Sequence, residues 1–255
     1  MSISYIYKSI YKMSSSIYLS LYLFLCSCLY YQMFNQFRQM LAISITLSYL
    51  LERKKGMFSF YVFLATMIHQ SAVVFYILLV IRDIKFSYKL LGVYAIISIL
   101  GFFYFDNLMM LIKDESNYGA VYVGSTLYDV AYSGSVIVNT FVRIFILLLC
   151  MLVYNDTVNR AKYTVYLYNV AWIYTVIQIF TLQSFLFGRV TTYFFLPYIV
   201  LLPEVLKTYE IKFGKYGIFA RIFFFICFAI YHYVYYLFGG ASAGGYDEYS
   251  VVLNC

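Results

Sequence analysis

Apolar runs occupy most of this chain between residues 17 and 238, and most approach the ~20 residues that an α-helix needs to cross the hydrocarbon core of a bilayer. They predict spans at 17–37, 39–51, 57–81, 88–105, 136–154, 163–187, 190–206 and 217–238. Inside hydrocarbon every backbone amide and carbonyl must find its partner within the chain, so the expected fold class is all-α. The architecture is a polytopic transmembrane helix bundle, a single integral membrane domain over 1–255. Only 11% of residues are charged, against about a quarter in a soluble domain, so water is not the main solvent. The first apolar run ends without a small-residue cleavage pattern and is read as a retained helix. Segment 106–135, with Lys113, Asp114, Glu115 and Asp129, is the one sizeable external loop, and the Gly-rich tail 239–255 reads as flexible.

The formal net charge of +7 raises the possibility of nucleic acid, but the basic residues sit in short clusters between apolar runs, as cytoplasmic loops do. No nucleic-acid partner is expected. The clusters are Lys8/Lys12, Arg53/Lys54/Lys55, Arg82/Lys85/Lys89, Arg160/Lys162 and Lys207/Lys212/Lys215. They cannot all be cytoplasmic if every span crosses once, because Arg53 and Arg82 flank a single run. The conflict disappears if 57–81 is a broken or re-entrant element, with His69-Gln70-Ser71 as its polar turning point. Arg221, one turn into the last span, can snorkel to the same side. Arg38, Lys113, Arg143 and Arg189 remain; Lys113 belongs to the external loop, and the three arginines fall at or within the outer half of the membrane.

An intramembrane arginine is costly unless it faces a polar cavity or a counter-ion, so three on one side suggest an anionic ligand. Guanidinium forks match phosphate oxygens bidentately, and a polyprenyl diphosphate is the natural candidate. The competing reading is interfacial anchoring or hydrogen bonding between helices. His69 is either a hydrogen-bond partner that closes the break or a group with a direct chemical role, as general base or phosphate donor; of the loop carboxylates Asp106, Asp114, Glu115 and Asp129, which alone could meet an external hydroxyl, Asp114 and Glu115 read as solvated charges. His232 reads as an interfacial packing residue. No cofactor or metal site is expected: the chain has no Walker loop, Rossmann glycine fingerprint, zinc-type His/Cys spacing or nucleophile elbow, and its five cysteines lack metal-ligand spacing. The absence of an Asp-x-Asp triplet counts against a metal-held nucleotide sugar.

Three stretches resemble EpsG-family membrane proteins, a Wzy-like group that polymerises exopolysaccharide, capsule or O-antigen repeats. Asn35-Gln36-Phe37-Arg38-Gln39-Met40-Leu41-Ala42 resembles the family's Arg-Gln-x-x-Ala helix start. His69-Gln70-Ser71-Ala72, preceded by Leu64-Ala65, is similar to a Phe-His-x-Ser-Ala segment, and Gly188-Arg189-Val190-Thr191-Thr192-Tyr193-Phe194 to an Arg-x-x-x-Tyr-Phe segment. Members usually carry additional N-terminal helices, whereas this sequence begins close to the Arg38 helix. The resemblance implies a membrane glycosyltransferase-type polymerase in the bacterial cytoplasmic (inner) membrane. It would move a growing glycan from undecaprenyl diphosphate to the terminal hydroxyl of another lipid-linked repeat. On that reading Arg38, Arg189, Arg143 and Tyr193 bind substrate, and His69 or Asp129 takes the acceptor proton. The partners are lipid-linked oligosaccharide, membrane lipids and other polysaccharide-assembly proteins. A polyprenyl-dependent glycosyltransferase, an O-antigen ligase or a non-enzymatic lipid-linked oligosaccharide transporter would need similar arginines.

The charge distribution makes loops 52–56, 82–89, 155–162 and 207–216 cytoplasmic and 106–135 external. A cysteine replacing Ser116 should therefore react with an impermeant thiol reagent in intact cells. Labelling only after permeabilisation would reverse the orientation.

Overall fold

The computed structural model describes residues 2–27, 29–48, 55–81, 84–85, 88–105, 107, 134–161, 163–183 and 186–237. These are almost entirely helical, with no strand among them. In chain order, α1 (Ser2–Met13), α2 (Ile17–Cys26), α3 (Leu29–Asn35), α4 (Phe37–Ser48) and α5 (Lys55–Ile68) precede a 3-10 helix (Gln70–Tyr76) that runs into α6 (Ile77–Ile81). Then come α7 (Tyr88–Phe103), α8 (Gly134–Leu152), α9 (Tyr154–Arg160), α10 (Thr164–Phe180), α11 (Leu186–Phe213) and α12 (Lys215–Leu237). The chain forms two compact units. Met1–Val80, Asn155–Ala161 and Ile199–Cys255 make the first, and Ile81–Tyr154 with Lys162–Tyr198 the second. Most of the expected loop 106–135, including Asp129, and the tail 239–255 lie outside the described residues.

In the first unit α4 is the central element. It buries Gln39, Met40, Ala42, Ile43, Ser44, Thr46 and Leu47 and packs against α1, α3, α5 and the 3-10 helix. Its hydroxyls stay satisfied by bonding back to their own helix, Ser44 Oγ to the Leu41 carbonyl at 2.8 Å and Thr46 Oγ1 to the Ala42 carbonyl at 3.0 Å. Helix α1 was not among the expected spans because its 12 residues are too few to cross. Ile6, Ile10 and Met13 form its buried stripe, while Tyr7, Lys8, Tyr11 and Lys12 stay exposed. The expected first span, 17–37, is interrupted: α2 ends at Ser27, whose Oγ donates to the Phe24 carbonyl at 3.3 Å.

The element expected at 57–81 is broken, and the break lies at His69. Ser59 and Tyr76 are 17 residues apart, which in a straight helix would be about 25 Å. Instead the Tyr76 hydroxyl donates to the Ser59 carbonyl at 3.1 Å, so the 3-10 helix folds back along α5. The fold-back agrees with the broken or re-entrant element expected at 57–81.

Among the described residues two helices are long and apolar enough to cross a membrane, Phe187–Phe213 and Lys215–Tyr233, and a third results if α8 and α9 are taken as one bent span. The other apolar runs form helices of 10–17 residues. Helix α11 carries both prolines of the chain, Pro197 and Pro203. Pro203 has no N–H to offer the Ile199 carbonyl, and Ser20 Oγ donates to that carbonyl at 3.4 Å. The reversal into α12 is made at Gly214, which has a φ of 54° that only glycine adopts freely.

In the second unit α10 is buried over most of its surface and packs on α7 and α8. Trp172 stacks on Tyr94 with centroids 5.6 Å apart, and Asn169 Nδ2 donates to the Ile81 and Ile84 carbonyls, each at 2.7 Å.

A Cβ on Gly217 would collide with the Tyr209 carbonyl and the Glu210 backbone, whereas one on Gly56 would meet nothing within 4 Å. Gly217→Ala should therefore cost about 1–3 kcal/mol through overpacking that a rigid backbone cannot relieve. Gly56→Ala should be neutral or slightly stabilising. Thermal unfolding of the two purified variants in detergent compares them directly.

Candidate functional site

Helices α4 and α5 pack together and are joined by the short stretch 49–54, so they run antiparallel and the start of α4 is level with the end of α5. Arg38 and His69 therefore lie at the same end of the first unit. Arg38 is exposed in the first turn of α4, where the leading backbone N–H groups lack helical acceptors and add positive potential to the guanidinium. His69 is half-buried and extended (φ −148°, ψ 111°). Its N–H still closes α5 on the Ala65 carbonyl at 2.9 Å, and its carbonyl accepts the Ala72 N–H at 2.9 Å to start the 3-10 helix. The break thus leaves His69 where two helix ends meet, with both of its backbone groups engaged.

Arg143 belongs to the second unit and is only 8% exposed, which places it in the interior rather than at an anchoring interface. Thr140, Arg143, Leu147 and Cys150 recur at helical spacing along the buried face of α8. The Arg143 guanidinium lies 4.4 Å from the ring centre of Phe195 and 5.6 Å from that of Tyr174. Tyr174 in turn stacks on Phe195 at 5.2 Å and on Tyr198 at 5.4 Å. The charge thus sits against an aromatic cluster, an arrangement worth most when the cation is desolvated.

Arg189 stands exposed in the first turn of α11. Tyr193, one turn later, has no exposed surface, so it is packed into the unit rather than open to a ligand from outside. Of the sequence-predicted residues, Arg38 and His69 share one end of one unit, while Arg143, Arg189 and Tyr193 belong to the other. Asp129 lies outside the described residues.

A further polar cluster escaped the sequence reading. Arg160 Nη2 donates to Glu204 Oε2 at 2.6 Å and to the Glu204 carbonyl at 2.7 Å, with the carboxylate side chain 3% exposed. Beside this pair, Thr157 Oγ1 donates to Thr208 Oγ1 at 3.1 Å and Lys212 meets Asp156 at 2.7 Å. Together they clamp α9 to the latter part of α11, beside a cavity of about 350 Å³ lined by Asp156, Asn159, Arg160, Thr208, Ile211 and Lys212. The available signal was Glu204 itself, a carboxylate directly after Pro203 and inside the run 190–206, where an unpartnered acid would be expensive.

Compared with known proteins, the chain matches the model of one family, described as the EpsG family, over residues 1–250. No curated protein and no solved structure matches it.

Removing one partner of the Arg160–Glu204 pair strands the other. Arg160→Met should cost about 3 kcal/mol, the lower end for a broken buried pair, because Arg160 keeps some exposure. The double variant Arg160→Met/Glu204→Met should recover most of that loss. A double-mutant cycle on thermal stability measures both.

Proposed function

Because the chain belongs to the EpsG family, we propose that it polymerises undecaprenyl-diphosphate-linked oligosaccharide repeats into exopolysaccharide, capsule or O-antigen at the outer face of the bacterial cytoplasmic membrane. Family membership over nearly the whole chain carries this reading. The all-α, strongly apolar architecture supports it, since the donor and acceptor are both held by lipid tails.

The reaction forms a bond from the acceptor hydroxyl oxygen to the anomeric carbon of the donor sugar and breaks the bond from that carbon to the diphosphate. Negative charge grows on the departing diphosphate while the acceptor hydroxyl gives up a proton. Fixed donors aimed at the growing charge contribute most to such a transfer. Arg38 and Arg189, each exposed in the first turn of a helix, present guanidinium forks suited to phosphate oxygens. The reaction brings two lipid-linked diphosphates to the protein, the donor's and the acceptor's, so each arginine is assigned a phosphate contact in its own right. His69, at the non-helical break, is assigned the acceptor proton, with Asp129 as the alternative base.

Lysine keeps the charge but not the planar fork. Arg38→Lys and Arg189→Lys should insert at normal abundance and yet lose most polymer, since removing a preorganised donor typically costs about 10²-fold or more in turnover. The measurement is polymer chain length in a deletion strain complemented with each variant. Full-length polymer from both would leave the arginines as anchors only. Unpolymerised single repeats still transferred to a final acceptor by the natural protein would point to a ligase.

A further inference from the structure

The cavity of about 350 Å³ between α9 and the last two turns of α11 lies wholly within the first unit. Asp156, Asn159 and Arg160 line it from α9, and Thr208, Ile211 and Lys212 from α11. Positions 156, 159 and 160 are three and four residues apart, so they share one face of α9 about one turn from end to end. One opening is thus lined by a carboxylate, an amide, a hydroxyl and two cations.

The fold leaves part of that polar capacity uncommitted. Arg160 spends Nη2 on the Glu204 carboxylate and carbonyl, which holds the guanidinium in place and leaves Nε and Nη1 without an acceptor among the described residues. The exposed Asn159 amide has no hydrogen bond there at all. Asp156 gives Oδ2 to Lys212 at 2.7 Å and keeps Oδ1 open. That pair is close to half exposed, so it is weak and rearranges readily.

The charges choose the ligand. Glu204 offsets Arg160 and Asp156 offsets Lys212, so the cavity has no surplus charge with which to hold a simple anion. A bare phosphate attracted by Arg160 would be opposed by Asp156 one turn away. A phosphate joined through a two-carbon linker to a primary ammonium meets both: its oxygens accept from Arg160 and Asn159, and its ammonium donates to Asp156. The position adds the source. Helix α11 is long and apolar enough to cross a membrane, and the cavity opens at its polar end, the level at which phospholipid headgroups lie.

We propose that this cavity binds a phosphoethanolamine group, supplied by the headgroup of a zwitterionic phospholipid. The site goes beyond the polymerase reading and does not depend on it.

The test uses the full chain, purified in detergent and stripped of native lipid, with thermal unfolding as the readout. Phosphatidylethanolamine, phosphatidylglycerol and phosphatidylcholine with the same acyl chains are titrated in mixed micelles, and free phosphoethanolamine in solution. Phosphatidylglycerol lacks the ammonium, and phosphatidylcholine carries one with no N–H to donate. Phosphatidylethanolamine should therefore stabilise the natural protein at about 10-fold lower concentration than either. Without lipid, Asn159→Leu and Asp156→Asn should unfold close to the temperature of the natural protein, since the first removes no hydrogen bond and the second only an exposed pair. Each should need about 10-fold more phosphatidylethanolamine for the same stabilisation. A response that requires acyl chains identifies the lipid as the source, and an equal response to free phosphoethanolamine identifies a soluble group.

Equal stabilisation by the three lipids would overturn the site, as would an unchanged response to phosphatidylethanolamine in either variant. A lower unfolding temperature of lipid-free Asn159→Leu would do the same, because the amide would then be committed to the fold rather than to a ligand.

Discussion

A helix that breaks inside hydrocarbon exposes amides and carbonyls that no water will satisfy, and several interruptions among the described residues are answered by other parts of the chain. At His69 the backbone satisfies itself, through the Ala65 carbonyl on one side and the Ala72 amide on the other. Where the returning 3-10 helix lies along α5, the Tyr76 hydroxyl takes the Ser59 carbonyl. Asn169 Nδ2 donates to the carbonyl of Ile81 at the end of α6, which also accepts the Ile84 N–H, and to the carbonyl of Ile84 just beyond it. Ser20 takes the Ile199 carbonyl that Pro203 cannot serve. Polar side chains of the apolar helices are thus spent on backbone carbonyls at several of the described breaks.

The same accounting separates the arginines. Arg160 is held by a carboxylate and a carbonyl, and with Lys212–Asp156 and Arg221–Glu210 it belongs to a set of pairs in the segments that the basic clusters assign to the cytoplasmic side. Such pairs fix α9 and the α11–α12 turn. Arg38 and Arg189 are of a different kind: both are exposed, both stand at helix starts, and both depart from the inside-positive pattern expected from the sequence. Arg143 is of a third kind, buried and stacked on rings. An arginine at the edge of a bundle can meet a ligand arriving through lipid at little desolvation cost. One in the interior acts only on what is brought to it, but acts more strongly, because the surrounding dielectric is lower.

How much of this could be read from the sequence depended on whether the signal was local or tertiary. Hydropathy located α7, α10 and α12 to within a few residues at most ends, and the conflict between Arg53 and Arg82 located a fold-back that no hydropathy average could show. Helix α1 was missed because a search for spans ignores a 12-residue amphipathic segment, although its Ile6, Ile10, Met13 spacing was visible. The break at Ser27 carries neither Gly nor Pro and depends on packing. Arg38, Arg143 and Arg189 looked alike in sequence, each a lone cation beside apolar residues. Only tertiary structure distinguishes the one that is buried, because its partners Tyr174 and Phe195 come from two other helices and are hidden among 32 Tyr and 25 Phe.

That aromatic abundance invites a sugar-binding interpretation, and the hydrogen bonds give it a plainer one. The Tyr22 ring stacks on Phe225 at 3.8 Å while its hydroxyl donates to the Phe225 carbonyl at 2.7 Å, joining α2 to α12. Tyr76 and Tyr168 likewise pack a ring and spend the hydroxyl on a carbonyl. A tyrosine in an apolar helix is therefore a staple here: it buries as a hydrophobe and repairs backbone polarity at its tip. With described tyrosines used in this way, their number alone says little about ligands. Among the described residues Tyr198 is a tyrosine of another kind: its buried hydroxyl has no hydrogen-bond partner, and its ring stands on the aromatic pair that also holds the buried Arg143.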